Sequence, residues 1–149
     1  MTLPEKVRPL EILLVEDSPT DALFAKEALE HSKVCNNLHT VSDGVEALAF
    51  LRRQRIYTQA PRPDLILLDL NLPKMDGREL LKEIKQDEAF KRIPVVVLTT
   101  SKDEADVLKA YGLHANCYIV KPVDFEKFAE VVKTIESFWF AVVTLPTQV

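Results

Sequence analysis

Residues 65–77 read LILLDLNLPKMDG, an apolar run that ends in a carboxylate and then stops at a proline. An apolar run of this length without polar alternation is typical of a strand that is buried on both faces, as in a parallel sheet covered by helices. Asp69 would then lie at the carboxyl end of that strand, which is where open α/β folds place their functional sites. The sequence therefore predicts a buried strand that presents one carboxylate at the edge of a sheet.

A second apolar run, at residues 10–15, also ends in acidic residues, namely Glu16 and Asp17. The carboxyl ends of parallel strands share one edge of a sheet, so we expect these acids to lie close to Asp69. Carboxylates at close range repel one another, and one of them is driven towards protonation unless a cation lies between them. Carboxylate oxygens with room for water suit Mg²⁺ better than zinc or a transition metal.

The rest of the chain alternates apolar runs with amphipathic segments. Two signals mark the predicted helix starts. One is a capping Ser followed directly by Pro, and the other is a capping Ser or Asp with Glu three residues later. The predicted helices begin at Ser18, Asp43, Asp76, Ser101 and about Asp124, and the further predicted strands are a short, weak one at 38–41 and buried ones at 95–98 and 117–120. Five strands alternating with five helices predict a doubly wound parallel sheet.

The composition excludes several functional classes. A chain of 149 residues that is 47% hydrophobic suits one domain at 10–137, with an N-terminal arm at 1–9 and an apolar extension at 138–149. A net charge of −4 argues against nucleic-acid binding, and three glycines leave no glycine-rich phosphate loop. Cys35 and Cys117 lack the spacing of a zinc site or a disulfide framework. No signal-peptide or membrane-span pattern occurs, so we expect a cytoplasmic protein.

Polar residues follow the predicted strands in a recurring order. Glu16 and Asp17 follow the first strand, Asp69 the third, Thr99 the fourth, and Lys121 with its proline the fifth. In this order the chain resembles the receiver domains of two-component response regulators, over residues 10–135. The family's Asp-x-x-x-Pro-x-x-Asp-Gly run is also present, beginning at Asp69. The resemblance implies a flavodoxin-like fold of five strand-helix units.

The resemblance also implies a phosphorylation site. Asp69 would accept a phosphoryl group from a phosphohistidine on a sensor histidine kinase, and an Asp carboxylate is a competent nucleophile for this transfer. Mg²⁺ would be held by Asp17, Asp69 and the backbone carbonyl of Asn71, with Glu16 acting through water. Lys121 would pair with a phosphoryl oxygen.

The same resemblance implies a conformational switch on the last two strands. The Thr99 hydroxyl would hydrogen-bond the phosphoryl group, and Thr100 would lie beside it, although Thr100 suits an ordinary turn equally well. Movement of Thr99 would leave space for Tyr118, three residues before Lys121. A static, half-buried Tyr118 is the simpler alternative. By analogy with the family, the Lys121-Pro122 bond would be cis.

Two other classes of protein have to be weighed against a working receiver. A haloacid-dehalogenase-like phosphatase also uses an Asp nucleophile with Mg²⁺, but its motif is Asp-x-Asp, with a second acid two residues after the nucleophile. In this chain that position, two residues after Asp69, is Asn71. A receiver that binds partners without phosphorylation would be expected to lose an acid, the Thr or the Lys. This chain retains all of them, so a phosphorylation-independent interaction module is the weaker hypothesis.

The C-terminal extension is more apolar than a chain terminus usually is. Along the last predicted helix, one helical stripe includes Trp139, and a second includes Val131, Phe138 and Val142. Packing of this helix against the sheet covers one stripe. The other stripe would stay exposed in a monomer, which favours a homodimer, unless the extension folds back onto its own domain. This extension resembles that of the phytochrome-associated response regulators of bacteria, which implies a phytochrome-type photoreceptor kinase as phosphoryl donor.

Overall fold

The structure is a computed structural model that describes residues 9–31, 35–99, 117–121 and 126. These residues form one parallel sheet of five strands in the order β2-β1-β3-β4-β5. The elements are β1 Leu10–Val15, α1 Pro19–Glu30, β2 Asn36–Val41, α2 Gly44–Leu51, a 3-10 turn Arg55–Tyr57, β3 Leu65–Asp69, α3 Gly77–Gln86, β4 Val95–Thr99 and β5 Cys117–Val120. The predicted doubly wound, flavodoxin-like sheet is confirmed. The strand order reverses between β1 and β3, and such a reversal opens a crevice at the carboxyl ends of the strands.

The central strands are buried on both faces, as their continuous apolar sequences predict. Alternate residues of β3 belong to two hydrophobic clusters on opposite faces of the sheet. Ile66 and Leu68 lie in the cluster with α2 and α3, whereas Leu65 and Leu67 lie in the cluster with α1. All five residues of β3 are buried. The rigid interior fixes the position of Asp69, the last residue of this strand, because its backbone cannot move without disturbing both clusters.

The helices begin where the sequence predicts. The Ser18 side chain accepts a hydrogen bond from the Asp21 backbone at 3.2 Å, and the Asp43 side chain accepts one from the Glu46 backbone at 2.8 Å. Asp76 caps α3 in a similar way. These caps satisfy backbone N–H groups that a first helical turn leaves unpaired.

Strand β2 differs from the prediction of a short, weak strand. It extends over Asn36–Val41 and pairs with β1 along its whole length. Its sequence, NNLHTV, lacks a clean apolar pattern because β2 lies at the edge of the sheet and is only partly buried. Pairing with the buried strand β1 therefore decides the structure of this segment more than its own sequence does.

Lys85, on α3, is less exposed than a charged residue of an amphipathic helix usually is. Its ammonium is partly buried and donates hydrogen bonds to the carbonyl oxygens of Lys91 and Ile93, at 3.3 and 3.2 Å. Burial lowers the pKa of Lys85. The segment after α3 folds back over the helix, and Lys85 stabilises that turn by donating hydrogen bonds to its carbonyl oxygens.

Several predictions fall outside the described residues. They concern the helices predicted from Ser101 and from about Asp124, the isomer of the Lys121-Pro122 bond, Thr100, the arm at 1–9 except for Pro9, and the extension at 138–149. The proposed dimer residues Val131, Phe138, Trp139 and Val142 belong to the same group. Within the part of the chain that the structure describes, no helix has the length and apolar character needed to cross a bilayer.

Candidate phosphorylation and metal site

Strands β1 and β3 bring three acidic residues together at one edge of the sheet. These strands are neighbours, with Val15 paired to Leu68, so the residues that follow them emerge side by side. Carboxylate oxygens of Glu16, Asp17 and Asp69 all lie within 4.8 Å of one another. Glu16 and Asp69 are buried, whereas Asp17 is exposed. The cluster is therefore fixed at its base and open to solvent on one side.

Lys121 reaches this cluster from the end of β5, which lies two strands away from β3. Its ammonium donates hydrogen bonds to Asp69 Oδ2 at 3.0 Å and to Asp21 Oδ2 at 2.9 Å. It also lies 2.7 Å from Glu16 Oε1. A single ammonium thus neutralises part of the charge of three carboxylates.

Sequence reasoning missed Asp21 as a member of this site. No local pattern distinguishes Asp21, because acidic residues are common in the first turn of a helix. Helix α1 starts at the same edge of the sheet as the acidic cluster, directly after Asp17. An acid in the first turn of that helix was the available signal.

The electrostatics of the site reflect burial and mutual repulsion. Burial raises the pKa of Glu16 to about 7, and the neighbouring Asp69 carboxylate adds to the rise, while Lys121 opposes it. Burial alone would lower the pKa of Lys121, but its contacts with Glu16, Asp21 and Asp69 outweigh that effect and raise it. Lys121 is therefore a permanent cation of the site at neutral pH.

The donor set fits a hard divalent cation. All its ligands are oxygens. Within the part of the chain that the structure describes, the buried Glu16 Oε1 atom has no hydrogen-bond partner, although the Lys121 ammonium lies 2.7 Å away. A cation among Glu16, Asp17 and Asp69 would relieve their repulsion, and Mg²⁺ prefers such oxygen ligands together with water. The acidic cluster of the chain therefore fits Mg²⁺.

The loop after β3 folds back over Asp69. The backbone N–H of Asn71 donates to Asp69 Oδ1 at 3.1 Å, while Lys121 binds Oδ2. Gly77, at the start of α3, packs so closely on this loop that a Cβ atom there would overlap the Asp69 carbonyl oxygen and lie 2.6 Å from Leu70 Cα. Both oxygens of the Asp69 carboxylate are thereby oriented before any ligand binds.

Thr99 and Tyr118 lie on the two strands beyond β3. Thr99 is the last residue of β4, whose neighbour Leu98 pairs with Asp69, so its backbone is at the same edge as the acidic cluster. Tyr118, on β5, pairs with Val97 of β4. It is partly buried and packs against the hydrophobic cluster on the side of α2 and α3. The structure describes the backbone of Thr99 but not its side chain.

Residues 12–133 match the family model for the response regulator receiver domain. The chain belongs to this family, whose members are phosphoacceptors in two-component signalling. Within the family, the chain is 54% identical to response regulator Rcp1 of Synechocystis sp. over 138 residues, which cover 93% of this chain and 94% of Rcp1. The predicted resemblance to phytochrome-associated response regulators is confirmed.

Solved structures give the same result. The phosphorylated cyanobacterial phytochrome response regulator RcpA has a TM-score of 0.74 and 53% identity, covering 89% of this chain and 95% of RcpA. The Mn²⁺-bound form of Rcp1 has a TM-score of 0.74 and 52% identity, covering 90% of this chain and 96% of that one. One relative thus occurs as a phosphorylated protein, and another binds a divalent cation.

Proposed function

We propose that Asp69 is the residue that accepts the phosphoryl group, from a phosphohistidine of a sensor histidine kinase. An oxygen of the Asp69 carboxylate attacks the phosphorus, an O–P bond forms, and the N–P bond to the histidine breaks with its electron pair staying on the imidazole nitrogen. The observation that carries this assignment is the position of Asp69 Oδ2. It belongs to a buried carboxylate within the acidic cluster of Glu16, Asp17 and Asp69, and it lies 3.0 Å from the Lys121 ammonium.

The surrounding residues assist this transfer. Lys121 stabilises the charge that develops on a phosphoryl oxygen, and the Thr99 hydroxyl donates a hydrogen bond to another. Asp17, Asp69 and the backbone carbonyl of Asn71 would hold Mg²⁺, with Glu16 acting through water. When bound, the metal ion neutralises charge on the incoming phosphoryl group. The chain acts as an enzyme only in assisting its own phosphorylation and dephosphorylation.

The response to phosphorylation involves Thr99 and Tyr118. Contact with the phosphoryl group draws the Thr99 hydroxyl towards Asp69, and the Tyr118 ring moves into the space that the hydroxyl leaves. The partial burial of Tyr118 supports this role, because a ring at the margin of the core can adopt more than one position. The resulting change in the surface of β4 and β5 carries the signal.

The kinase partner is a phytochrome-type photoreceptor histidine kinase in the cytoplasm. The similarity to Rcp1 and to the phytochrome response regulator RcpA supports this partnership. Transfer from a purified phytochrome kinase, compared with transfer from an unrelated histidine kinase, tests it. Equal rates from both kinases would contradict it.

The chain forms a homodimer through the apolar residues Val131, Phe138, Trp139 and Val142. The last predicted helix carries two apolar stripes, one with Trp139 and the other with Val131, Phe138 and Val142. Packing on one sheet requires only one of them, which supports self-association. Light scattering on the full chain and on a Phe138→Asp variant tests the proposal. A monomeric mass for the unmodified chain would overturn it.

Intact mass spectrometry tests the phosphorylation site directly. The full chain is incubated with acetyl phosphate, with and without Mg²⁺, beside the variant Asp69→Asn. We expect one Mg²⁺-dependent phosphoryl adduct on the unmodified chain and none on Asp69→Asn, because an amide is a poor nucleophile.

Asp64→Asn is the matched control. Asp64 is a buried acid directly before the start of β3, and it accepts a hydrogen bond from the backbone N–H of Glu11. This variant should still be phosphorylated. An adduct on Asp69→Asn would remove Asp69 as the acceptor. If neither acetyl phosphate nor a kinase labels the unmodified chain, a phosphorylation-independent interaction module becomes the better explanation.

A further inference from the structure

Three carboxylates contact the ammonium of Lys121, and they differ in what else they must do. Asp69 is the proposed nucleophile and Glu16 belongs to the acidic cluster that fits Mg²⁺. Asp21 belongs to neither group, since the cluster found among the described residues consists of Glu16, Asp17 and Asp69. Asp21 is nevertheless held as closely as Asp69, with Oδ2 at 2.9 Å from the Lys121 nitrogen.

The two other carboxylates that contact Lys121 each have another role in the transfer. Once Asp69 carries a phosphoryl group, its carboxylate loses its negative charge, so the ammonium exchanges this partner for a phosphoryl oxygen. Glu16 is shared between Lys121 and the metal site. The contact with Asp21 can therefore remain unchanged throughout the transfer and keep the ammonium in place.

We propose that Asp21 is a positioning residue that holds the ammonium of Lys121 beside Asp69 while the phosphoryl group is transferred. This rests on the proposed function of Asp69 and Lys121. The geometry suits the role, because Asp21 lies in the first turn of α1, where the backbone is fixed by the Ser18 cap. The Asp21 side chain is about one-third exposed, at 31%, so solvent can fill the space around it without disturbing the core.

Charge and orientation predict opposite effects of removing Asp21. Loss of a negative charge beside the site should, by itself, favour reaction with an anionic phosphodonor. Loss of the contact that orients Lys121 should slow the reaction, because catalytic groups act only when they are correctly placed. The sign of the change in rate therefore distinguishes the two roles.

The test is the rate of phosphorylation by acetyl phosphate at saturating Mg²⁺, followed by intact mass. We expect Asp21→Asn to lower the rate about tenfold, since small errors in position have large effects on rate. Its Mg²⁺ affinity, measured by calorimetry, should change much less than its rate. Asp21→Glu, which keeps the charge, should recover much of the rate, and Glu27→Gln, an exposed acid two turns further along α1, is the matched control.

A double variant shows whether Asp21 acts through Lys121. If it does, Asp21→Asn should have little effect in a chain that already carries Lys121→Met. An equal loss in both backgrounds, an unchanged rate, or a faster reaction of Asp21→Asn would each overturn the proposal. Should the Lys121→Met chain react too slowly to measure, failure of Asp21→Glu to recover the rate would overturn it. Absence of any adduct on the unmodified chain, both with acetyl phosphate and with a histidine kinase, would instead overturn the proposed function on which it rests.

Discussion

Glu16 illustrates, at the scale of one residue, how a functional site conflicts with stability. The carboxyl group is buried beside Asp69, and burial raises its pKa from the usual 4.5 to about 7. Because the folded state holds this proton more tightly than the unfolded state, the associated stability is complete below pH 4.5 and is lost as the pH rises through 7. A metal-free chain therefore bears the cost of an ionised Glu16 at neutral and higher pH.

The variant Glu16→Gln should remove this pH dependence. In EDTA, we expect the Tm of the variant to rise relative to that of the unmodified chain between pH 5 and pH 8. The free energy of unfolding of the two chains should differ by about 1 kcal/mol or more, and each kcal/mol corresponds to a shift of about 2–4 °C in the Tm of a domain of this size. Thermal unfolding followed by circular dichroism at each pH gives the measurement. Glu79→Gln, on an exposed part of α3, should show no such trend, and parallel curves for Glu16→Gln and the unmodified chain would contradict the prediction.

At the scale of elements, helix α3 and the loop after β3 are fitted closely to each other. Gly77 begins α3, and the backbone at Asp69 and Leu70 occupies the space that a Cβ atom would need. A substitution must therefore push the helix away from the loop that orients the Asp69 carboxylate. The cost should exceed the roughly 1 kcal/mol by which Ala favours a helix over Gly.

We predict that Gly77→Ala lowers both the stability of the chain and its rate of phosphorylation. Overpacking of this kind typically costs about 1–3 kcal/mol, and a shift of the loop should misplace Asp69. Urea unfolding and the acetyl phosphate assay measure the two effects. Glu79→Ala, two residues further along the same helix and exposed, should leave both nearly unchanged. A Gly77→Ala chain with normal stability and normal rate would show that the contact can relax freely.

The sequence predicts some elements better than others, for physical reasons. The buried strands β1 and β3 are predicted well because a strand covered on both faces must be apolar throughout. The edge strand β2 is predicted poorly, since its structure depends on pairing with β1. The partial burial of Lys85 has no signal in the sequence, because a polar residue on an amphipathic helix is expected in solvent. Its ammonium gains partners only because the chain folds back after α3.

The same distinction applies to the site. Glu16, Asp17, Asp69 and Lys121 could be predicted because each lies at the end of a strand or within two residues after it, and the strand order brings those ends together. Asp21 lies inside a helix, where an acid in the first turn has an ordinary explanation as part of the helix start. Its contact with Lys121 joins residues 100 positions apart, and no local pattern indicates such a pairing.

At the scale of the whole molecule, the site connects three strands of the sheet, so binding there should stabilise the entire fold. Acids that follow β1 and β3 repel one another, and Lys121 from β5 compensates only in part. We therefore expect Mg²⁺ to raise the Tm of the chain. At a concentration about 100 times the Kd, the gain is about 2.7 kcal/mol, or about 5–10 °C for a domain of this size.

Thermal unfolding with increasing Mg²⁺, and its reversal by EDTA, measures this stabilisation. Asp17→Asn should abolish most of the rise in Tm, because it removes a ligand from the exposed side of the cluster without leaving a buried charge. Asp87→Asn, at the end of α3 and away from the cluster, should respond to Mg²⁺ as the unmodified chain does. An equal rise in all three chains would locate the metal elsewhere and would leave the repulsion within the acidic cluster without a counter-ion. Protonation of Glu16 would then be what relieves that repulsion in the folded state. In that case the Tm should fall as the pH rises, whether or not Mg²⁺ is present.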